Sequence, residues 1–284
     1  MAKTGEIQKV QGASLAAPSF MQQDQNLGVG VLRQYVKPPR LKVVADMSAS
    51  LREMGFKPGD LVCSPQNIAV AEMPMKVGPT GKGQVPDAEN FPRVRFVPIF
   101  FYPEYCQWNP IKLKGTVPAI VSRSTDPNSQ LAKLCKNSNT WKQPYPLDPN
   151  NSELVVRNVE HLNFLVSLQN CPDIRPTELV LLSFQRGTHY AGTNFAGLQQ
   201  QRRAPLFGCI FDLRVIYPPP RNGFQFFQPE ISNPTEGAAF VEDKASYEAY
   251  RDLNKSYTEL HKNSLIVADY DDPEEAAEGG GVAM

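Results

Sequence analysis

Residues 93–110, RVRFVPIFFYPEYCQWNP, constrain the fold more than any other stretch. Arg93, Arg95 and Val97 fall on one side of an alternating pattern and Val94, Phe96 and Pro98 on the other, which is the two-residue period of a β-strand. Five rings follow within nine residues: Phe100, Phe101, Tyr102, Tyr105 and Trp108. Such a run predicts a β-rich body whose long strand has one wet, basic face. The 26 prolines and a charged fraction of 20% agree, because both suit a loop-rich β protein better than a helical bundle. At 284 residues the expectation is one elaborated core with appendages.

Elsewhere short apolar runs alternate with turn signals. Residues 27–36 read as a strand stopped by Pro38 and Pro39, and residues 48–54 as a short helix ending at Gly55. Residues 76–92 read as an exposed Gly/Pro/polar loop. Its Gly-Lys-Gly is no phosphate loop, which needs GxxxxGK followed by Ser or Thr, so Lys76 and Lys82 are expected to meet phosphate only nonspecifically. Residues 120–137 give a strand, a turn and a helix, and residues 152–169 a hairpin or two strands. After a strand at 179–184 comes a helix weakened by Gly192 and Gly197, each costing about 1 kcal/mol relative to Ala. Ala191, Phe195, Leu198 and Arg202 share one of its faces, and Arg202 and Arg203 are expected to project from its end. Residues 206–217 and 224–227 flank the turn signal Asn222-Gly223 and read as a hairpin. Asn233-Pro234 offers a helix start, and Tyr247, Tyr250, Leu253, Tyr257 and Leu260 recur at helical spacing, which predicts a C-terminal amphipathic helix.

The formal net charge of zero conceals an asymmetry. Residues 1–241 carry 25 Lys and Arg against 18 Asp and Glu, whereas residues 242–284 carry 4 against 11. A basic body with an acidic end suits a polyanion partner. The expected organisation is a flexible segment over 1–26, a β body over 27–232, a helix over 233–267 and a disordered acidic tail over 268–284. No run reaches the roughly 18–20 apolar residues of a membrane span and residues 1–20 lack a secretory pattern, so the expectation is a soluble, cytoplasmic protein.

Catalytic chemistry finds little footing. The three histidines and five widely spaced cysteines form no metal motif, and no GxSxG elbow is present, so neither an enzyme nor a cofactor is expected. Single-strand binding needs cations for the phosphates and rings for the bases, held on a barrel or sheet. Arg93, Arg95, Arg123, Arg186, Arg202, Arg203 and Arg221 supply the cations. Phe100, Tyr102, Trp108, Phe184, Tyr190, Phe195 and Phe224 supply rings. A structural or assembly protein, such as a virion component, with the rings forming a subunit interface, is the alternative; a nucleic-acid-processing enzyme is a third.

The order VRFVPIFFYPEYCQW, SRSTDP, ELVLLSFQRGTHYAGTNFAGL and APLFGCIFDLRV resembles phage-encoded single-stranded DNA-binding proteins over roughly residues 93–230. The resemblance implies a β-rich α+β fold: an OB-like antiparallel β-barrel with peripheral helices and the C-terminal helix. It implies coating of single-stranded DNA during phage replication and recombination, with little sequence preference and possible homo-oligomers. It also implies that Asp269, Asp271, Asp272, Glu274, Glu275 and Glu278 form a tail for replication and recombination partners.

Overall fold

In a computed structural model, the structure describes residues 36–45, 49–78, 83–113, 115–137, 139–218 and 226–268. The chain divides into two units, Met1–Val36 and Lys37–Met284, and everything below concerns the second. Most of the strand expected over 27–36, together with Lys82, Arg221, Phe224 and the six tail acids, lies outside the described residues.

A curled, half-barrel sheet forms the body. Two strands dominate it, β6 (Val94–Trp108) and β9 (Val155–Leu168), paired antiparallel along most of their length. On one side lie β11 (Phe211–Ile216) and the edge strand β12 (Gln228–Ser232); on the other lie β10 (Val180–Gln185), β1 (Arg40–Val43), β2 (Leu61–Ser64) and β3 (Ile68–Ala71). The far ends of β6 and β9 run past this path and are flanked by β7 (Ile120–Ser124) and β8 (Lys142–Pro144). Among the described strand pairings only β1 with β10 is parallel.

Both faces of the sheet are apolar, and each is covered. Phe96, Phe164, Phe184 and Phe211 face the helix α3 (His189–Arg202), whose Phe195 enters that core with edge-to-face contacts at 5.6 Å to Phe96 and 4.9 Å to Phe211. Val97, Ile99, Tyr102, Leu165 and Leu181 face the helix α4 (Lys244–Lys262) through Tyr250, Leu253, Tyr257 and Leu260. Two shorter helices, α1 (Ala49–Glu53) and α2 (Gln130–Lys136), flank the sheet.

One bulge lets β6 serve both layers. The register slips between Pro98 and Phe100, where proline cannot donate to the ladder. Before the slip the even positions Val94 and Phe96 belong to the α3 layer. After it the even positions Tyr102, Cys106 and Trp108 belong to the α4 layer. Ile99 is the extra residue, and its carbonyl accepts from Asn254 Nδ2 of α4 at 2.7 Å.

Several local expectations need correction. Residues 152–169 form the single strand β9, not a hairpin: Leu162 and Leu168 face the α3 layer while Leu165 faces the α4 layer, so their three-residue spacing is alternation sampled unevenly. Residues 76–92 are not a plain loop, since β4 (Met75–Val77) and β5 (Gln84–Pro86) pair within them. Lys76 is tied to Asp87 at 3.0 Å and Glu89 at 3.7 Å, which removes it as a roving phosphate contact. The last helix begins at Lys244, where Asp243 accepts from Ser246 N at 2.7 Å, rather than at Asn233-Pro234.

Candidate nucleic-acid interface

The slip in β6 also decides which side chains meet at its far end. Trp108 stands opposite Arg157 of β9, and Cys106 stands opposite Arg123 of β7. Because Trp108 and Cys106 follow the slip, Arg157 and Arg123 share their face. Arg186 joins them from the 3-10 turn Arg186–Thr188, which links β10 to α3. Together they line a cleft of about 710 Å³.

The turn that carries Arg186 is tightly held. Arg186 has φ +46°, in the left-handed region that is uncommon for a residue with a Cβ. Thr188 Oγ1 accepts from Gln185 N at 3.0 Å and donates to Gln185 O at 2.9 Å, bracketing it. One residue further, His189 Nε2 lies 3.1 Å from Glu160 Oε2 and fastens the start of α3 to β9. That hydrogen bond holds the Glu160 carboxyl below the usual range.

Positive charge is concentrated here under partial burial. Burial and the neighbouring Arg157 guanidinium push Arg186 down from 12.5 to about 9, and burial lowers Arg157 too. His161 is fully buried on the same face, 6.1 Å from the Trp108 ring, and its pKa falls well below 6.5. Burial contributes most, followed by Arg40, Arg186 and Arg123. Glu104 faces this group, 3.8 Å from Arg123, and Asn163 Nδ2 donates to it at 3.4 Å. A multiply charged anion would gain from all three cleft arginines, since guanidiniums bind phosphate oxygens through charge-assisted hydrogen bonds.

Of the residues nominated from sequence, Trp108, Arg123 and Arg186 come together in this cleft. Tyr190 stands one turn past Arg186 and is 75% exposed, so its ring is open to stacking. Arg157 is not singled out by the sequence. It lies inside the apolar run VVRNV, and only the β6–β9 register brings it beside Trp108. Six other residues that the sequence points to belong elsewhere. Phe100 and Tyr102 are buried against His261 of α4 at 5.5 and 5.1 Å, while Phe184 and Phe195 fill the α3 core; none presents a face to a base. Arg93 and Arg95 sit at the opposite end of β6, roughly 40 Å along the strand at about 3.3 Å per residue. There they line a second cleft of about 450 Å³, where Arg95 Nη2 donates to Glu236 O at 2.6 Å and Nε lies 3.6 Å from Asp212.

Arg202 does not project. Its guanidinium stacks 4.3 Å from the Phe211 ring and 5.4 Å from Phe240, and donates to Asn233 Oδ1 at 2.7 Å and to Ala239 O. Arg203 is exposed and caps α3 at φ +50°. Among the described residues, no three His, Cys, Asp or Glu side chains gather as metal ligands, and no helix is long and apolar enough to cross a membrane.

Compared with known proteins, residues 9–262 match a family model described as Pam3 phage gp34-like protein. No curated protein and no solved structure matches the chain.

Proposed function

We propose, on the premise that this chain belongs to the Pam3 phage gp34-like family and is a phage protein, that it binds single-stranded DNA during phage replication or recombination. The observation that carries this reading is the convergence of Arg123, Arg157 and Arg186, from three separate segments, on one cleft with Trp108. Scattered surface arginines would support only ordinary solvation; three that meet under partial burial favour a polyanion. Tyr190 supplies a nearby ring, and the acid-rich residues 269–278 supply a segment for replication or recombination partners. The host cytoplasm is where such a protein would act.

The test is a titration of fluorescent oligo-dT, against duplex of equal length, at two salt concentrations. A preference for the single strand that weakens steeply with salt supports the reading; no preference sinks it. A virion structural or assembly role is the second reading, favoured by the separate β4–β5 hairpin, which exposes Met75 and Val77. It predicts self-association that hardly responds to salt.

A further inference from the structure

The cleft beside Trp108 is lined by two unlike groups of side chains. Arg123, Arg157 and Arg186 form one. The other comes from the 3-10 turn Ile111–Leu113 and the strand start that follows, and it is apolar: Ile111, Val117, Pro118, Ile120 and Val121. A phosphodiester backbone lying on guanidiniums makes no use of such a group. A ligand that is anionic at one end and flat and apolar at the other uses both. The volume of about 710 Å³ lies within the roughly 300–1,000 Å³ of small-ligand pockets, which is too large for a bare phosphate and ample for one nucleotide.

We infer that the cleft is a pocket for a single nucleotide unit, with the phosphate among Arg123, Arg157 and Arg186 and the base against Trp108 and the apolar side chains Ile111, Val117, Pro118, Ile120 and Val121. The inference rests on the nucleic-acid reading for its ligand class and goes beyond it in one respect. The contact is insertion of one unit, whether free or within a strand, rather than a backbone track. Insertion requires a base that is unpaired and unstacked, so a single strand enters at lower cost than a duplex. Charge-assisted contacts fix the phosphate, and the apolar side chains take any base, so little base preference is expected.

The full-length protein is titrated by calorimetry with thymidine monophosphate, thymidine and inorganic phosphate, and each competes against labelled oligo-dT. The nucleotide should bind with a Kd on the order of 10 μM to 1 mM and displace the oligonucleotide. Thymidine and phosphate should each bind roughly tenfold more weakly or worse. Val121 lines the apolar part of the cleft and is 53% exposed, so the uncharged Val121→Asn tests that part with little risk to folding; it and Arg157→Gln should each weaken the nucleotide about tenfold. Phosphate binding as tightly as the nucleotide would reduce the site to an anion site and overturn the inference. Oligo-dT binding without any nucleotide binding up to about 10 mM would also overturn it, leaving the strand reading intact. Nucleotide binding without oligo-dT binding would uphold the pocket and fell the strand reading.

Discussion

If phosphates bind at the cleft, its arginines must account for a countable share of the salt dependence. For single strands the logarithm of the binding constant falls with log salt by about 0.7 per neutralised phosphate. Going from 50 to 200 mM is a fourfold change, so one phosphate held among all three arginines should weaken binding about 2.6-fold across that range, whereas a backbone laying one phosphate on each arginine should weaken it about 18-fold. Arg123→Gln, Arg157→Gln or Arg186→Gln each removes one charge while keeping a hydrogen-bonding amide. In the backbone case each variant should lower that ratio to about 7-fold; in the single-phosphate case it should lower the ratio below about 2.6-fold. Anisotropy of labelled oligo-dT at four or five salt concentrations measures it. Arg95→Gln is the control, because Arg95 lies about 40 Å along β6 and is engaged with Asp212 and Glu236. The reasoning is refuted if all three cleft variants keep the parental slope, or if Arg95→Gln lowers it equally.

Four other outcomes follow from packing and titration. Gly192→Ala would bring a Cβ to 2.8 Å from Phe184 Cβ and should destabilise the protein, whereas Gly197, with nothing within 4 Å, should gain about 1 kcal/mol from Ala; thermal melts compare them. Buried His161 has a folded pKa below its unfolded value, so below pH 6.5 the unfolded state binds a proton that the native state refuses. Stability should fall by up to about 1.4 kcal/mol per pH unit as pH drops there, and His161→Gln should flatten that slope in urea titrations. Arg202→Ala should cost about 1–3 kcal/mol through lost stacking and hydrogen bonds, yet leave the salt slope of DNA binding unchanged. Arg123 Nη1 donates to Ala268 O at 2.6 Å, which places the start of the acidic segment at a cleft arginine; deleting residues 269–284 should tighten oligo-dT binding at low salt, and unchanged affinity would rule out competition by that segment.

Much of the element order could be read from the sequence. The strand, turn and helix of β7 and α2, the helix α3 and its buried Phe195, and α4 follow from turn residues and periodicity, whereas of the hairpin expected over 206–217 and 224–227 only β11 falls within its expected run: residues 206–208 form a 3-10 turn and the partner strand β12 runs over Gln228–Ser232. The misreadings of β6 and β9 share one cause. β6 and β9 are covered on both faces, so apolar side chains appear at odd and even positions alike, and the pattern that separates a wet face from a dry one is lost. That is why Phe100 and Tyr102 resemble stacking platforms in sequence, although they are core. The cleft was half legible: Trp108, Arg123 and Arg186 stand out by residue type, whereas Arg157 is assigned only by its position opposite Trp108. Arg202 misleads for a related reason, since the Phe240 ring that stacks over it arrives from 38 residues later in the chain.

The slip at Pro98–Phe100 gives β6 something like a reading frame. Removing one residue from positions 98–100 would leave every later side chain chemically unchanged and transpose it to the other side of the sheet. Trp108 would leave its arginine neighbours, Tyr102 would leave α4, and Asn254 would lose the carbonyl it now binds. For this strand, insertion and deletion are graver changes than most substitutions, because one backbone step decides which layer the whole of residues 101–108 serves.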